Sequence, residues 1–329
     1  MKLHKFIQRI CAATVASALT LSLCTPVLAE GIAALPAPTS GTSQPDETGD
    51  VPIDPAHFPD ENFRKYLGQK AIDDDKNGIL SQTEREKVTA IVLHSAGNIS
   101  DLTGIKYFPN LKELYCNGGD LANLDVSQNT KLTNLYCYNN QLTSLDVSEN
   151  TKLTELDCSD NQLANLDVSE NPELTYLKCG SNQLTRLDLH VNTALETLIC
   201  DNNQLTSLNL SSNTALTQVY CSGNKRQITV GETGQFDLSA LKGFDVSKAS
   251  GWSEGATVDG NILTVPYGVT EISYRYDLDL GNRKRETFTL TFDKVEEPDL
   301  PDDSSAPADT GSTAGGAIAA VAVGGAAVW

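Results

Sequence analysis

The sequence has few basic residues, which restricts the partners that the protein can attract. Its 329 residues include 24 Lys and Arg against 43 Asp and Glu, so the formal net charge is −19. Such an excess of carboxylates repels nucleic acid and anionic membrane surfaces, and it attracts cations and basic groups. We therefore expect no nucleic-acid partner for this chain.

Residues suited to catalysis are also scarce. There are four histidines, and His94 and His190 stand apart from any serine, cysteine or carboxylate set placed consistently for chemistry. A nucleophilic or metal-dependent centre needs several such groups at mutually consistent positions. The sequence therefore predicts a protein that is not an enzyme.

The N-terminus has the pattern of an export signal. Lys2, Lys5 and Arg9 precede a mostly apolar segment at 10–23, and the residues before position 30 suit a signal peptidase. We predict a signal peptide at 1–29, cleavage after Ala29, and a secreted or cell-surface protein.

Composition divides the remaining chain into segments. A stretch rich in Pro, Ser, Thr and Gly indicates a linker, helical spacing of apolar residues follows it, and period-two alternation near residues 272–276 and 287–292 predicts strands. Asp259-Gly260 is a predicted hairpin turn. The predicted segments are a linker at 30–54, a helical EF-hand-like cap at 55–87, repeats at 88–225, a β-sandwich-like (Ig-like, all-β) domain at 226–295, an acidic Pro-rich spacer at 296–310 and an apolar tail at 311–329.

The tail leaves two interpretations open. Residues 307–311 (PADTG) resemble a sortase signal with one residue too many, and no Lys or Arg follows the uncharged apolar segment. The tail is either a degenerate anchor for membrane or cell-wall attachment or the end of a chain cut short at Trp329.

A 21-residue pattern, L-x-x-L-x-C-x-x-N-x-L-x-x-L-D-V-S-x-N-x-x, occupies the middle of the chain. Full copies begin at Leu111, Leu132, Leu153, Leu174 and Leu195, with a degenerate copy before them and a partial one at 216–224. The pattern matches the leucine-rich repeat signature with Cys in one Leu position. A single copy cannot bury its apolar side, so stacked copies are expected to form a leucine-rich repeat solenoid with short parallel strands. The Asn before the x-L of each copy is expected to bond turn backbone groups inside the coil.

Six of the eight cysteines share one position of this repeat, which suggests disulfides, a metal site or a buried apolar column. They are Cys116, Cys137, Cys158, Cys179, Cys200 and Cys221. Equivalent Cβ atoms on adjacent parallel strands lie ~4.8 Å apart, whereas a disulfide needs roughly 3.5–4.5 Å. Zinc sites use close C-x₂₋₄-C pairs, which this column lacks. We predict free, buried thiols that replace leucine.

Residues 73–84 (DDDKNGILSQTE) satisfy the EF-hand pattern D-x-[DN]-x-[DN]-G-x₅-E. The spacing places oxygen ligands around one cation, and the glycine permits the sharp turn between them. The predicted Ca²⁺ ligands are Asp73, Asp75, Asn77, the Ile79 carbonyl, Ser81 and Glu84. Ser81 and Glu84 also form a capping-box pattern, which is the simpler explanation of those two residues. We expect a weak structural Ca²⁺ site in the ~10⁻⁴ to 10⁻³ M range of extracellular modules.

The residues that flank each cysteine are expected to point away from the core, and they vary while the framework does not. Exposed tyrosines on a rigid sheet suit partner recognition, sugar stacking or simple β-propensity. The candidate partner-binding residues are Tyr115, Tyr136, Tyr138, Asp157, Tyr176, Lys178 and Tyr220.

Residues 58–224 resemble the leucine-rich repeat surface proteins of Gram-positive bacteria, the broad internalin-like group. The resemblance is carried by FPDENFRKYLGQKAIDDDKNGILSQTE, by LTGIKYFPNLKELYC and by the repeat L-x-C-x-x-NQL-x-x-LDVS-x-N. It implies an exported, surface-associated protein whose repeat face binds a protein or glycan partner. The alternative is a structural component of the cell envelope with no specific ligand.

Overall fold

A small N-terminal module precedes the repeats in the computed structural model, which describes residues 49–93, 98–280 and 284–297. Its elements are β1 (Val51–Pro52), α1 (Glu61–Leu67), β2 (Ile79–Leu80) and α2 (Gln82–Lys87). As predicted, two helices flank the polar loop, and Asp60 caps α1 by accepting the Phe63 N–H at 2.9 Å.

The N-terminal module begins earlier than the sequence indicates. β1 lies within the segment predicted as linker, yet it pairs antiparallel with β2 and buries Val51. The last residues of that segment therefore belong to the module. The predicted signal peptide at 1–29, most of the linker and spacer, and the apolar tail at 311–329 lie outside the described residues.

The N-terminal module closes one end of the solenoid through polar contacts to the first coil. Asp60 accepts a second hydrogen bond from the Ser100 N–H at 2.9 Å, and the Tyr66 hydroxyl accepts one from the Val92 N–H at 3.0 Å. Arg85 donates to the Tyr107 carbonyl at 3.2 Å. These bonds satisfy backbone groups at an end of the solenoid that would otherwise be open.

The repeats form the predicted parallel solenoid, with one strand from each coil. The seven strands pair in chain order. They are β3 (Ala90–Val92), β4 (Glu113–Tyr115), β5 (Asn134–Tyr136), β6 (Glu155–Asp157), β7 (Tyr176–Lys178), β8 (Thr197–Ile199) and β9 (Gln218–Tyr220). The pairing is in register at intervals of 21 residues, for example Leu114 with Leu135. The repeat period therefore becomes one coil of the solenoid.

The interior of the solenoid consists of repeated columns. The central leucine of each strand from β4 to β8 is fully buried, and the six periodic cysteines are free and buried in the part of the chain that the structure describes. Burial raises the pKa of the Cys116 and Cys179 thiols to about 12. The prediction of free, buried thiols in the leucine position is confirmed.

Asparagines bond the coils to each other from inside, as predicted. Asn161 Nδ2 donates to the carbonyls of Cys137 in the preceding coil and Cys158 in its own, at 3.0 and 3.1 Å. Its Oδ1 accepts the Leu142 N–H at 3.0 Å. The first full copy has Gly119 in place of this asparagine, and a Cβ there would lie 2.6 Å from the Ile99 carbonyl oxygen. Glycine therefore allows the degenerate coil to approach closely.

A second buried asparagine column lies at a different turn of each coil, and its role was not predicted from the sequence. Asn171 Nδ2 donates to the carbonyls of Val147 and Asn150 at 3.0 and 2.9 Å. Its Oδ1 is buried with no hydrogen-bond partner in the described structure. The signal was the invariant Asn of the LDVS-x-N segment. The column comprises Asn129, Asn150, Asn171, Asn192 and Asn213.

Two small sheets follow the solenoid. Their strands are β10 (Asn224–Gln227), β11 (Gln235–Asp237), β12 (Ala249–Ser250), β13 (Thr257–Asp259), β14 (Ile262–Thr264), β15 (Glu271–Asp277) and β16 (Arg285–Thr291). One sheet has the order β10-β16-β15-β12 and the other β11-β14-β13. The predicted hairpin joins β13 to β14, and the predicted alternation buries Ile272, Tyr274 and Tyr276. An immunoglobulin-like classification stays a prediction.

The C-terminal module closes the other end of the solenoid. Asn224 belongs to both parts, because its side chain bonds the Cys200 carbonyl at 3.2 Å and its backbone starts β10. The buried Tyr274 hydroxyl donates to the Thr206 carbonyl at 2.6 Å, and Trp252 stacks on the Tyr274 ring at 4.5 Å. No helix among the described residues is long and apolar enough to span a membrane.

Candidate functional site

The parallel sheet brings the candidate partner-binding residues to its outward side, here called the sheet face. In each strand the central residue is buried and its two neighbours point outward. The register aligns Tyr115, Tyr136, Asp157, Lys178 and Tyr220 in one column with Ile199. Tyr176 begins β7, and Tyr138 follows the buried Cys137 just beyond β5.

Tyr115 of β4 and Tyr136 of the neighbouring β5 form a stacked pair. Their ring centroids lie 4.8 Å apart and the rings are within 7° of parallel. The Tyr115 hydroxyl donates to Glu113 Oε2 at 3.3 Å, and the Tyr136 hydroxyl donates to Glu155. Both rings are half-buried. The pair is therefore a flat aromatic surface whose orientation is fixed before any partner arrives.

The glutamates that hold these hydroxyls were not among the predicted site residues. Burial, followed by the hydrogen bond and charge of Glu155, raises the pKa of Tyr136 well above its usual value. The hydroxyl therefore remains a donor at neutral pH. Glu113 and Glu155 occupy outward positions of their strands, and this placement is the signal that could have identified them.

Asp157 departs from the expected exposure, since only 5% of its surface is accessible. It accepts hydrogen bonds from the Ser159 N–H at 3.1 Å and the Ser159 hydroxyl at 2.6 Å. Lys178 Nζ lies 3.5 Å from its Oδ2 and 5.6 Å from the centroid of the Tyr138 ring. Asp157 therefore lies beside Lys178 and is covered by its neighbours, and its role as a contact residue stays a prediction.

The remaining predicted face residues differ in exposure. Tyr220 on the last strand is 56% exposed, whereas Tyr176 is half-buried between its neighbours. Burial also raises the pKa of Tyr176. Aromatic surface is therefore available at both ends of the sheet, with a charged pair between them.

The acidic loop between α1 and α2 brings three carboxylates together. One oxygen of each of Asp73, Asp75 and Glu84 lies within 4.8 Å of the others. Asp73 is 2% exposed and Glu84 is 7% exposed. No ion pair between described residues includes any of the three. Buried carboxylates without a cation are costly, so this cluster has the chemistry of a cation site.

Backbone N–H groups of the loop hold these carboxylates in place. Asp73 accepts from the Asn77 and Gly78 N–H groups at 3.2 and 3.1 Å, and Asn77 Oδ1 accepts from the Ile79 N–H at 2.7 Å. Gly78 has a φ of +78°, which favours glycine. The loop is therefore preformed around its acidic residues.

The capping box that competes with the Ca²⁺ interpretation is also present. Glu84 Oε2 accepts from the Ser81 N–H and hydroxyl at 2.9 and 2.7 Å, while Oε1 accepts from the Asp74 N–H at 2.7 Å. Although burial opposes it, these bonds lower the pKa of Glu84. Each carboxylate oxygen has two lone pairs, and since Oε2 accepts two of these bonds and Oε1 one, a lone pair of Oε1 remains for a cation. Ligation by the Ile79 carbonyl stays a prediction.

Comparison with known proteins supports the repeat architecture. Residues 130–171 match the family model described as Leucine Rich repeats (2 copies). No curated protein sequence matches the chain.

Three solved structures are similar to parts of this chain. Internalin C2 from Listeria monocytogenes is 20% identical, with 53% of this chain and 88% of that chain covered and a TM-score of 0.41. The functional domain of InlJ from the same organism, which includes a cysteine ladder, is 16% identical over 74% and 99%, with a TM-score of 0.24. A leucine-rich repeat protein from Leptospira interrogans is 27% identical over 39% and 35%, with a TM-score of 0.36.

Proposed function

We propose that this chain is an exported, non-enzymatic leucine-rich repeat protein that binds a protein or glycan partner through its sheet face. The observation that carries the proposal is the stacked, hydrogen-bonded pair of Tyr115 and Tyr136 on a rigid parallel sheet. Large aromatic side chains dominate recognition surfaces. Because these rings are already ordered, binding loses little side-chain entropy.

The difference between the two sides of each strand supports a recognition role. The inward leucine and cysteine recur in every full copy, while the outward column reads Tyr, Tyr, Asp, Lys, Ile, Tyr. Repeat proteins keep the residues that stack their coils and vary those that contact ligands. Exposed aromatic faces also suit stacking on sugar rings, so the proposed partner is either a protein or a glycan.

Export and surface association rest on the N-terminal pattern at 1–29, which has a basic start and an apolar segment. The C-terminal module, with its two packed sheets, would act as an immunoglobulin-like spacer. The apolar tail would attach the protein to membrane or wall if it is an anchor.

A variant with the sheet-face tyrosines removed tests the binding proposal. Tyr115, Tyr136, Tyr138 and Tyr176 are replaced together by Ala, and binding to a glycan array and to a cell-surface protein extract is compared with wild type. We expect loss of the retained partner, because truncating aromatic anchors costs about 2 kcal/mol or more each.

Tyr267→Ala is the matched control, since Tyr267 is a tyrosine of the C-terminal module that is 47% exposed. It is expected to bind as wild type does. Equal binding by the folded quadruple variant would reject the sheet face. Absence of any partner together with concentration-dependent self-association in sedimentation would instead support the envelope-component alternative.

We also propose that the loop at 73–84 binds Ca²⁺ as a structural ion. Asp73, Asp75, Asn77, Ser81 and Glu84 would supply oxygen ligands, with the Ile79 carbonyl completing the set. The ion would neutralise the buried carboxylates and fix the loop between α1 and α2. Since α1 and α2 both contact the first coil, the ion would also stabilise the closed end of the solenoid.

Calorimetry with Asp73→Ala tests the calcium site. Wild type is expected to bind one Ca²⁺ and to gain about 1.4 kcal/mol in unfolding free energy at tenfold excess over Kd. Asp73→Ala should lose both effects. Asp74→Ala removes the same charge from the neighbouring exposed residue and should retain both. Equal heats from the two variants would reject the proposed ligand set.

A further inference from the structure

A groove lies between the coils that follow residue 164 and the C-terminal module, away from both proposed sites. Its volume is 370 Å³. The polar and charged residues that line it are Asn165, Thr185, Arg186, Thr206, Arg226 and Lys242. Three of these six side chains are cationic, and among the described residues that line the groove none is a carboxylate. This is unusual in a chain with a net charge of −19.

Two of the three cations of the groove differ from several other basic residues of the C-terminal module, which form ion pairs. Lys225 pairs with Glu271 at 2.9 Å, and Lys248 pairs with Asp279 at 2.5 Å. Arg226 and Lys242, by contrast, take part in no ion pair with the described carboxylates. Two cationic side chains without a carboxylate partner among the described residues therefore line the same groove.

The orientation of the two arginines is set by neighbouring groups. Arg226 Nη1 donates to Gln204 Oε1 at 3.2 Å, and Arg186 Nη2 contacts Asp188 Oδ2 at 2.9 Å. A guanidinium has five N–H donors, so most of its donors remain for a ligand. The arginines are held in position without being neutralised at every donor.

The neutral side chains of the groove add further hydrogen-bonding groups. Within the described structure, the side chains of Asn165, Thr185 and Thr206 form no hydrogen bond, although Thr206 is only 5% exposed. The Thr206 carbonyl is occupied by the Tyr274 hydroxyl at 2.6 Å, which fixes its backbone. The groove therefore presents charged donors together with hydroxyl and amide groups.

From this arrangement we propose that the groove binds an oxyanion, the phosphate or sulfate group of a sugar ester. Arg226 and Lys242 would hold the anion by charge-assisted hydrogen bonds, which are the stronger class. The amide and hydroxyls of Asn165 and Thr185 would bond the hydroxyls of the sugar. Both halves of the groove contribute, so the ligand would bridge the last coils and the C-terminal module.

Isothermal titration of the full protein with defined probes tests the groove. The probes are glucose 6-phosphate, glucose 6-sulfate, inorganic phosphate and unmodified glucose, each at millimolar concentration and low salt. We expect binding of the anions, none of glucose, and weakening by added NaCl because salt screens exposed charges. Stronger binding of the sugar esters than of phosphate assigns the ligand to an ester, and the reverse order assigns it to a free anion.

Single-charge variants locate the site. Lys242→Gln and Arg226→Gln are each expected to weaken anion binding about tenfold, the loss of one charge-assisted contact. Lys225→Gln removes the same charge next to Arg226 but outside the groove, and it should change binding less than twofold. Lys242 is exposed, so its variant should fold as wild type does.

Failure of wild type to bind any anion would overturn the proposal, as would equal weakening by Lys225→Gln and Lys242→Gln. Neither variant touches the sheet face or the acidic loop, so the outcome is independent of the proposed function.

Discussion

The inward and outward columns of the parallel sheet lie one residue apart on the same strands, yet they differ in chemistry and in repetition. The inward leucine of β4 to β8 is fully buried and identical in each, whereas the outward neighbour changes from Tyr136 to Asp157 to Lys178. Inward side chains must fit the coils above and below, so any change leaves a cavity or an overlap. Outward side chains meet this constraint on one side only. The comparison indicates that the stability of the solenoid resides inside the coils, and the proposed recognition would use the outward side chains.

A second comparison lies within the interior, between its two asparagine columns. Asn161 uses both its amide nitrogen and its oxygen, whereas Asn171 uses the nitrogen alone, and its Oδ1 has no partner among the described residues. The same residue type in two turns of one repeat therefore contributes differently to the stability. The hydrogen bonds that each asparagine makes, rather than its burial alone, determine its contribution to the unfolding free energy.

The largest expected contrast between inside and outside is thiol reactivity. Burial raises the pKa of Cys116 and Cys179 to about 12 and raises those of Cys137 and Cys158 as well. A hydrogen bond with Cys221, followed by burial, raises the pKa of Cys200. Because only an accessible thiolate reacts, maleimide labelling of native protein should be slower than in urea by roughly 1,000-fold or more.

Ser222→Cys supplies the outside control for this experiment. Ser222 follows the buried Cys221 directly and is exposed, so the new thiol should react at the rate of a free cysteine. Fast native labelling of any of the six interior thiols, followed by mass spectrometry, would contradict their buried placement.

The next effect compares the two asparagine columns by urea unfolding. Asn161→Ala should cost about 3 kcal/mol, because it leaves the buried Leu142 N–H without its acceptor and removes bonds to the Cys137 and Cys158 carbonyls. Asn171→Ala should cost only about 1.5 kcal/mol. It removes the bonds of Nδ2, but with them a buried oxygen that has no hydrogen-bond partner among the described residues. Equal costs, or the reverse order, would mean that the orphan oxygen has a partner in solution.

A smaller effect concerns the exposed aspartates of the LDVS turns. Asp125, Asp146 and Asp167 each accept the N–H of the serine two residues on, at 2.9 to 3.0 Å, and hydrogen bonds from that serine lower their pKa below the ordinary value of 3.8. The folded state then binds fewer protons than the unfolded state near that pH. Their contribution is present above the ordinary value and is lost as pH falls below it.

The last full coil provides the control for this pH dependence. Asn209 makes the same bond to the Ser211 N–H at 3.0 Å with a side chain that does not titrate. Replacing Asp125, Asp146 and Asp167 by Asn should therefore keep the turns and flatten the acid limb of unfolding free energy against pH. An unchanged acid limb would show that other carboxylates control it.

The smallest expected effect on stability belongs to the sheet face. Tyr138→Phe removes one outward hydroxyl for which no hydrogen bond is formed within the described residues, so unfolding free energy should change by less than about 0.5 kcal/mol. A loss of unfolding free energy as large as that of Asn161→Ala would show that Tyr138 stabilises the solenoid as an interior residue does. The contrast between the inward and outward residues would then not hold.

Much of the fold could be predicted because its information is local and repeated. The 21-residue period sets one coil, its leucines and cysteines set the inward columns, and Asp60 and Ser81 mark the helix starts. A pattern that recurs in successive copies is constrained by its neighbours, which is why the asparagine position before x-L was interpretable.

Other features could not be predicted because they depend on residues that are distant in sequence. The two-residue strand β1 pairs with β2 across the whole of α1, and β10 pairs in parallel with β16. Neither pairing has a periodic signal. The buried Asp157 lies 3.5 Å from Lys178 of the next coil, a contact that only the stacking of the coils creates.

Oxidative footprinting of the tyrosines tests most directly the claim that the sheet face is the recognition surface. The partner identified on the glycan array or in the cell-surface protein extract is added. Hydroxyl-radical modification is then measured residue by residue by mass spectrometry. The account predicts protection of Tyr115, Tyr136, Tyr138 and Tyr176 and unchanged modification of Tyr267. Protection of Tyr267 with no change on the sheet face would contradict it.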